Sequence, residues 1–381
     1  MKIAVFCTNY PPSRQEGGVS HYTQILCRHL SDKGWEIFVV TDDAYLGDGM
    51  DGPVKVLKFQ RPWTHGVRKR ISKVLMAYGV DMINLQYSPP MYDPVFRIAW
   101  SWMTRRFATC VSFHTLWGGP RINYPMALSF LCGADGIIAT NSEIMYLLKR
   151  YLRPFLRKTR HIPIGANIEP EGTSEDFHKA SRRYGLDPEM PVLAYFGMSY
   201  QGKGMTILFE TTRMLLERGH QIQLLVIGGG ISDVPEYIDE KRRLISKLGI
   251  EGRVIWTGRI PAQDVSALLD GSRLALLPYD SGVSDRRGSL MAALAHGKAV
   301  VTTRPAVPVR LFKNRENMIW PETDEAEALA GAVSDVLENQ ALLGRLEKGA
   351  RELAGHYKWP GIAVQTKDFF QDIVVRKRRS L

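Results

Sequence analysis

A lysine stands between two glycines at Gly202-Lys203-Gly204, within the segment YFGMSYQGKGMTILFE, where an apolar β-type run gives way to a helical pattern. An ammonium held by flexible backbone at a helix start is placed as a phosphate ligand would be. Such a charge-assisted contact contributes about 1.5–3 kcal/mol. The spacing is not that of a GxxxxGK[ST] loop, so a nucleoside-triphosphate cradle is not expected. A second anion-favouring stretch is GVSDRRGSLMAALAHGKAVV, from Gly282 to Val301. Arg286 and Arg287 precede Gly288-Ser289, Ser289 is predicted to be the N-cap of a short apolar helix, and Gly297 is predicted to end it. The free amides near Leu290 and Met291 would then favour an anion. Lysine, arginine pair and helix start together suit a diphosphate better than any one of them. In the first half, Gly17-Gly18 follow the first apolar run and open a helix, where glycine either forms a turn or admits a ligand. The spacing is not GxGxxG, which disfavours a dinucleotide. His114 ends the run ATCVSFH and so sits at a strand's carboxyl end, where an imidazole could bond a substrate hydroxyl or work as an acid or base. Gly228-Gly229-Gly230 reads as a turn.

These residues need a scaffold that delivers loops to one edge, and the chain supplies its pattern. KIAVFC, EIFVVT, VKVLKF, DMINLQ, ATCVSFH and GIIAT in the first half, and VLAYFGM, IQLLVIGG, RVIWTG, LALLPY and AVVTT in the second, alternate with amphipathic stretches of helical length. Continuous Val/Ile/Leu runs are buried on both faces, as in parallel sheets covered by helices. Their repetition predicts an α/β, doubly wound architecture. With 381 residues, two domains are expected. The segment from Ile162 to Lys179 breaks the rhythm with Pro, Gly and acidic residues and is predicted to be a linker. Two α/β halves joined there would leave a cleft at the carboxyl ends of their strands. From Trp359 to Arg379 a last helix is predicted, with Ile362, Val364, Phe369, Phe370 and Ile373 as its apolar stripe.

The net charge of +11 is uneven. Residues 1–165 hold 21 Lys and Arg against 11 Asp and Glu, and the other 216 hold 29 against 28. The excess lies in Arg68-Lys69-Arg70 with Lys73, in Arg105-Arg106 and in Lys149 to Arg160, with a basic tail at Arg376 to Arg379. A polyanionic partner is implied: nucleic acid, an anionic membrane face or an acidic substrate. The basic segments read as lacking interleaved aromatic stacking positions, which argues against nucleic acid. The first apolar run is too short for a signal-peptide core, and no stretch approaches the ~18 apolar residues of a membrane span. Cys7, Cys27, Cys110 and Cys132 are scattered and are expected to be reduced, buried, cytosolic thiols.

On these residues the chain resembles the retaining glycosyltransferases of GT-B fold, glycosyltransferase family 4 in particular. The resemblance rests on the PPSRQEGGVSHY loop, FHTLWGG, IPIGANI, YFGMSYQGKG, RVIWTGRIPAQDVSALLDGSRLALLPY, GSLMAALAHGKAVVTT and YKWPGIAVQTKDFF, in that order. It implies two Rossmann-like domains facing across a cleft: 1–165 for an acceptor, 166–358 for a nucleoside diphosphate sugar, and a helix over 359–381 crossing back to the first. It further implies that Gly17 and Gly18 meet the diphosphate, His114 the transferred sugar and Lys203 the phosphates. Gly197 would lie at the same site, the main chain at Gly258-Arg259 would meet the base, and Gly288, Ser289 and Leu290 would bind phosphate. His114, Lys203 and Arg287 would carry the catalysis, with Arg286 beside them, and no metal or cofactor would be required. The acceptor would be a glycan or lipid-linked saccharide at an anionic membrane face in the cytoplasm.

The chain departs from the family in two places. Met198 stands where an arginine is usual, and Ser284 and Ala292 stand where the family carries two glutamates. Asp280 or Asp285 could substitute after a loop shift, and Arg286 or Arg287 could replace the arginine. A nucleotide-sugar epimerase, a sugar phosphorylase or a non-catalytic binding or scaffold subunit on the same fold are the rival readings.

Overall fold

The computed structural model describes residues 1–14, 16–89, 91–92, 103–116, 123–229 and 235–380. Gln15, the Trp117 to Gly119 part of FHTLWGG, and Gly230 lie outside the described residues. The chain divides into two compact units, Met1–Asn167 with Lys358–Leu381, and Ile168–Tyr357.

The first unit is built on an eight-stranded sheet. Its strands are β1 (Lys2–Phe6), β2 (Glu36–Thr41), β3 (Met50–Asp51), β4 (Val54–Lys58), β5 (Met82–Tyr87), β6 (Ala108–Phe113), β7 (Gly136–Ala139) and β8 (Thr159–His161). Their spatial order is β3-β4-β2-β1-β5-β6-β7-β8, parallel except for the β3–β4 pair. Both faces are covered, as the unbroken apolar strands require. One face packs Phe6, Phe38, Val111 and Phe113 on Phe130 and Leu148. The other packs Val5, Val39, Met82 and Cys110 on Leu26 and Leu30 of helix Gly18–Asp32 and on Phe370 and Ile373 of helix Trp359–Ser380. That last helix therefore completes the core of the unit that the chain began. Val364 does not belong to its buried stripe, being 43% exposed. Trp359 anchors the helix, its indole N–H donating to the Ala166 carbonyl at 2.5 Å.

The second unit has a five-stranded, all-parallel sheet of β9 (Val192–Phe196), β10 (Gln223–Ile227), β11 (Val254–Gly258), β12 (Leu274–Leu277) and β13 (Val300–Thr302). Its order is β11-β10-β9-β12-β13. Chain direction across the sheet reverses beside β9, with β10 on one side and β12 on the other. The loops leaving β9 and β12 thus flank a topological switch point, where open α/β sheets bind ligands.

The irregular stretch after Ile162 is shorter than predicted. From Ser174 to Tyr184 the chain is helical, because Thr173 and Asp176 form a capping box: the Asp176 amide donates to Thr173 Oγ1 at 3.3 Å and the Thr173 amide to Asp176 Oδ2 at 2.9 Å. Cys132 is exposed, unlike the buried Cys7, Cys27 and Cys110. Arg68 is buried and not part of a basic surface, its Nε–H donating to the Thr64 carbonyl at 3.1 Å. In the basic tail, Lys377 is held by Asp135 at 3.0 Å and Arg378 by Asp81 at 2.8 Å.

Candidate active site

In the second unit the loop after β9 runs from Gly197 to Gly204 and the loop after β12 from Pro278 to Arg287, one on each side of the switch point. Gly197 has φ +147, and a Cβ there would lie 3.9 Å from Ser289 Oγ. Gly202 (φ +90) and Gly204 (φ +69) turn the chain about Lys203 into helix Met205–Glu217, with Gly204 as N-cap. The Lys203 ammonium lies 5.0 Å from the centre of the Tyr200 ring. Its half-burial, together with the positive charges of Arg287 and Arg286, pushes its pKa down to about 8. Three cationic side chains are therefore within each other's field at one sheet edge, an arrangement that an anion stabilises.

Helix Gly288–Ala295 begins where predicted, but Ser289 is not its cap. Arg287 occupies the N-cap position with extended backbone, and no side chain caps the helix. The Ser289 hydroxyl is instead paired with Tyr279 Oη at 2.7 Å. Tyr279 is buried, which pushes its phenol up to about 12, and its ring lies 4.7 Å under the Arg287 guanidinium. Arg287 also donates to Ser281 Oγ at 2.6 Å. The tyrosine fixes serine and arginine together, so the serine hydroxyl is not spent on capping the helix. Gly297, at φ +62, ends the helix as expected: its amide donates to Leu294 O at 2.9 Å and that of Lys298 to Ala293 O at 3.0 Å. The helix carries no charge because Leu290 to Leu294 are all buried.

Gly258 (φ +67) joins the same edge through the bond from the Gly228 amide to its carbonyl, 3.0 Å, while Arg259 is exposed. Gly228 and Gly229 form a tight positive-φ turn; a Cβ on Gly229 would meet Ser199 Oγ and Trp256 Nε1 at 2.5 Å. Ser284 and Ala292 are both buried, at 3% and 0% exposure. No hydrogen bond engages Ser284 Oγ among the described residues. Of the acids offered as substitutes, Asp285 is buried, with its charge felt by Tyr357, and Asp280 is exposed.

In the first unit Gly17, with extended φ of −145, caps helix Gly18–Asp32. Among the described residues, a Cβ on Gly17 or Gly18 would meet nothing within 4 Å. His114 follows β6 and is 9% exposed. Its ring lies edge-on to Tyr22 at 4.7 Å, and its Nε2 is 2.8 Å from Gln86 Oε1. Burial pushes its pKa down to about 3, so the ring is neutral near pH 7. Its main chain is fixed by the His114 amide donating to Tyr87 O at 2.8 Å and Asn141 Nδ2 donating to His114 O at 3.0 Å. Sequence reasoning overlooked Tyr279, Tyr22, Gln86 and Asn84. Only the last two left a signal, as polar residues at alternate positions of the apolar run DMINLQ.

Comparison with known proteins agrees with this division. Residues 16–170 match the family described as Glycosyltransferase Family 4, and residues 176–353 that described as Glycosyl transferases group 1. A D-inositol 3-phosphate glycosyltransferase of Corynebacterium aurimucosum is 24% identical over 204 residues, which is 53% of this chain and 48% of that protein. The chain thus spans about half the length of that curated relative. A glycosyltransferase from Rickettsia africae superposes with a TM-score of 0.78 at 17% identity, covering 98% of each chain. Anabaena HepE in complex with UDP and glucose gives 0.76 at 16% identity, covering 98% of this chain and 100% of that one. With a Rossmann-like sheet in each unit and both family patterns in sequence, the chain belongs to the family 4, group 1 glycosyltransferases of GT-B fold.

Proposed function

We propose that this protein is a retaining, metal-independent transferase that moves a sugar from a UDP- or GDP-sugar to a glycan, a lipid-linked or envelope polysaccharide precursor. The observation that carries the donor assignment is the cationic cluster of Lys203, Arg286 and Arg287 at the switch point, beside an uncapped helix start. In this reading the diphosphate lies against Lys203 and the amides of Ser289 and Leu290, and the arginines offset the charge that grows as the sugar–phosphate bond breaks. The departing phosphate oxygen takes the acceptor hydroxyl's proton on the side it leaves, so the new bond forms with the old configuration. In the first unit, neutral His114 suits a bond to a sugar hydroxyl. The UDP and glucose held by the Anabaena relative support this donor class.

A screen of nucleotide sugars by thermal melting tests it. A UDP- or GDP-sugar at 100 times its Kd should stabilise the second unit by about 2.7 kcal/mol. Free nucleoside diphosphate should then appear only when a glycan acceptor is added. Diphosphate-independent isomerisation of the donor would establish an epimerase instead. Binding without release in the presence of every acceptor would establish the scaffold reading, which the buried Ser284 and Ala292 at the family's glutamate positions favour.

The acceptor side is read from charge. Lys69, Arg70 and Lys73 on helix His65–Ala77, Arg105 and Arg106, and Lys149, Arg150, Arg153 and Arg157 are all exposed. Contrary to the sequence expectation, an exposed aromatic ring does interrupt the last group: Tyr151, between Arg150 and Arg153, is 66% exposed, and Tyr146, one turn before them, is 46% exposed. Amphipathic tyrosines among cations suit a headgroup layer. Each such cation contributes about 1 kcal/mol at an anionic surface. The protein should co-sediment with vesicles containing anionic lipid at low salt and stay in solution with neutral ones. Charge reversal at Lys149, Arg150 and Arg153 should weaken that binding by at least tenfold; retention of full binding would remove this surface from the acceptor side.

A further inference from the structure

The apolar face of the first sheet that receives helices Gly18–Asp32 and Trp359–Ser380 contains an unexpected polar ladder. Asn84 and Gln86 on β5, and Ser112 on β6, are 0% exposed, and His114 follows two residues after Ser112 on the same face. Buried amides cost free energy unless every donor and acceptor is satisfied, so such a ladder has a direction. A main-chain carbonyl can only accept. Asn84 Nδ2 reaches the Cys110 carbonyl at 3.4 Å and Ser112 Oγ at 3.0 Å, so this end of the amide is its NH₂ group. Its Oδ1 then accepts from Gln86 Nε2. Gln86 Oε1 is left to face His114 Nε2 at 2.8 Å, and an amide oxygen in that position requires the proton to be on Nε2.

We infer that Asn84 and Gln86 are positioning residues that lock His114 as its neutral Nε2–H tautomer and leave its Nδ1 lone pair as the acceptor for a sugar hydroxyl. The inference rests on the reading that His114 meets the sugar. It deepens that reading by stating the chemistry: a bare lone pair accepts from a hydroxyl and repels a phosphate oxygen. Nε2 is committed to Gln86, so Nδ1 is the ring nitrogen left for a ligand.

Nitrogen-15 correlation spectra of the full chain, labelled at histidine and free of ligand, test the lock near pH 7. The His114 resonance is assigned by its loss in His114→Ala. It should show a protonated Nε2 and an unprotonated Nδ1. Gln86→Leu removes the acceptor and Asn84→Leu frees Gln86 to rotate, and each should give mixed tautomers. Gln86→Glu keeps an oxygen at Nε2 and should keep its proton there. Melting curves identify which variants are folded, and the glutamate variant differs least in shape. In transfer assays Gln86→Leu should lower kcat about tenfold and leave KM within about threefold. A protonated Nδ1 in the wild type, or a tautomer unchanged in both leucine variants, overturns the inference. If the tautomer behaves as stated but His114→Ala transfers sugar at the wild-type rate, the lock stands and the placement of the sugar at His114 fails.

Discussion

Replacing Lys203 with alanine is expected to weaken UDP and GDP binding by about 10- to 150-fold, the equivalent of one charge-assisted contact. The ammonium is held where a positive charge is disfavoured, half-buried and beside two arginines, and its pKa falls to about 8 for those reasons. At pH 7 it is still mostly charged. A bound diphosphate reverses the local field and stabilises the ammonium, so the complex holds the proton more tightly than the free protein does. The sign follows from linkage. Binding takes up a proton in the window that begins near pH 8 and extends to the raised value in the complex. Affinity should therefore fall with rising pH across that window, by up to about tenfold per unit. Calorimetry of wild type and Lys203→Ala from pH 6.5 to 9.5 measures both quantities. Loss of affinity in the variant with the pH dependence intact would place the titrating group elsewhere. Unchanged affinity would remove Lys203 from the diphosphate site.

The sheets were legible because parallel strands buried on both faces leave continuous Val, Ile and Leu runs, and eleven such runs correspond to strands. The two strands without such a run were not legible. Met50–Asp51 is two residues long, and Thr159–His161 is placed by pairing with β7 rather than by its own composition. The helix at Ser174 was legible in principle, since Thr173 and Asp176 have capping-box spacing, but the acidic and Pro-rich surroundings concealed it. The cations of the site were readable because glycine spacing and clustered charge are local signals. The pairing of Ser289 with Tyr279, ten residues away, is a tertiary fact, and sequence spacing alone assigned the serine the commoner role of cap. Arg68 shows the same limit: one of three adjacent basic residues lies on the inner face of its helix, and charge counting cannot see a face.

How the loop after β9 is kept against the loop after β12 depends on one glycine. Gly204 has φ +69, and a Cβ built on it would lie 2.5 Å from the carbonyl carbon of Pro278 and nearer still to its oxygen. Both clashing atoms are main chain and end at the strand β12, so no side chain can rotate away. Met205, the next residue, is buried, and the Leu208 amide donates to the Gly204 carbonyl at 2.9 Å, which fixes the helix on the other side. Gly204→Ala must then separate two backbone segments or unwind the first turn, and should cost about 3 kcal/mol or more. For a unit of this size that corresponds to a Tm lower by about 6–12 °C. Because Lys203 is the preceding residue, UDP affinity should fall with it. Gly202→Ala separates the two causes. Gly202 also has positive φ, +90, but a Cβ there meets nothing within 4 Å among the described residues. It should cost only the conformational strain, about 1 kcal/mol, and lower Tm by about 2–4 °C. Equal losses in the two variants would mean that backbone strain, and not contact with Pro278, holds the phosphate loop. A larger loss at Gly204, together with weakened UDP binding, would tie the geometry of the cationic cluster to the close approach of the two loops at the switch point.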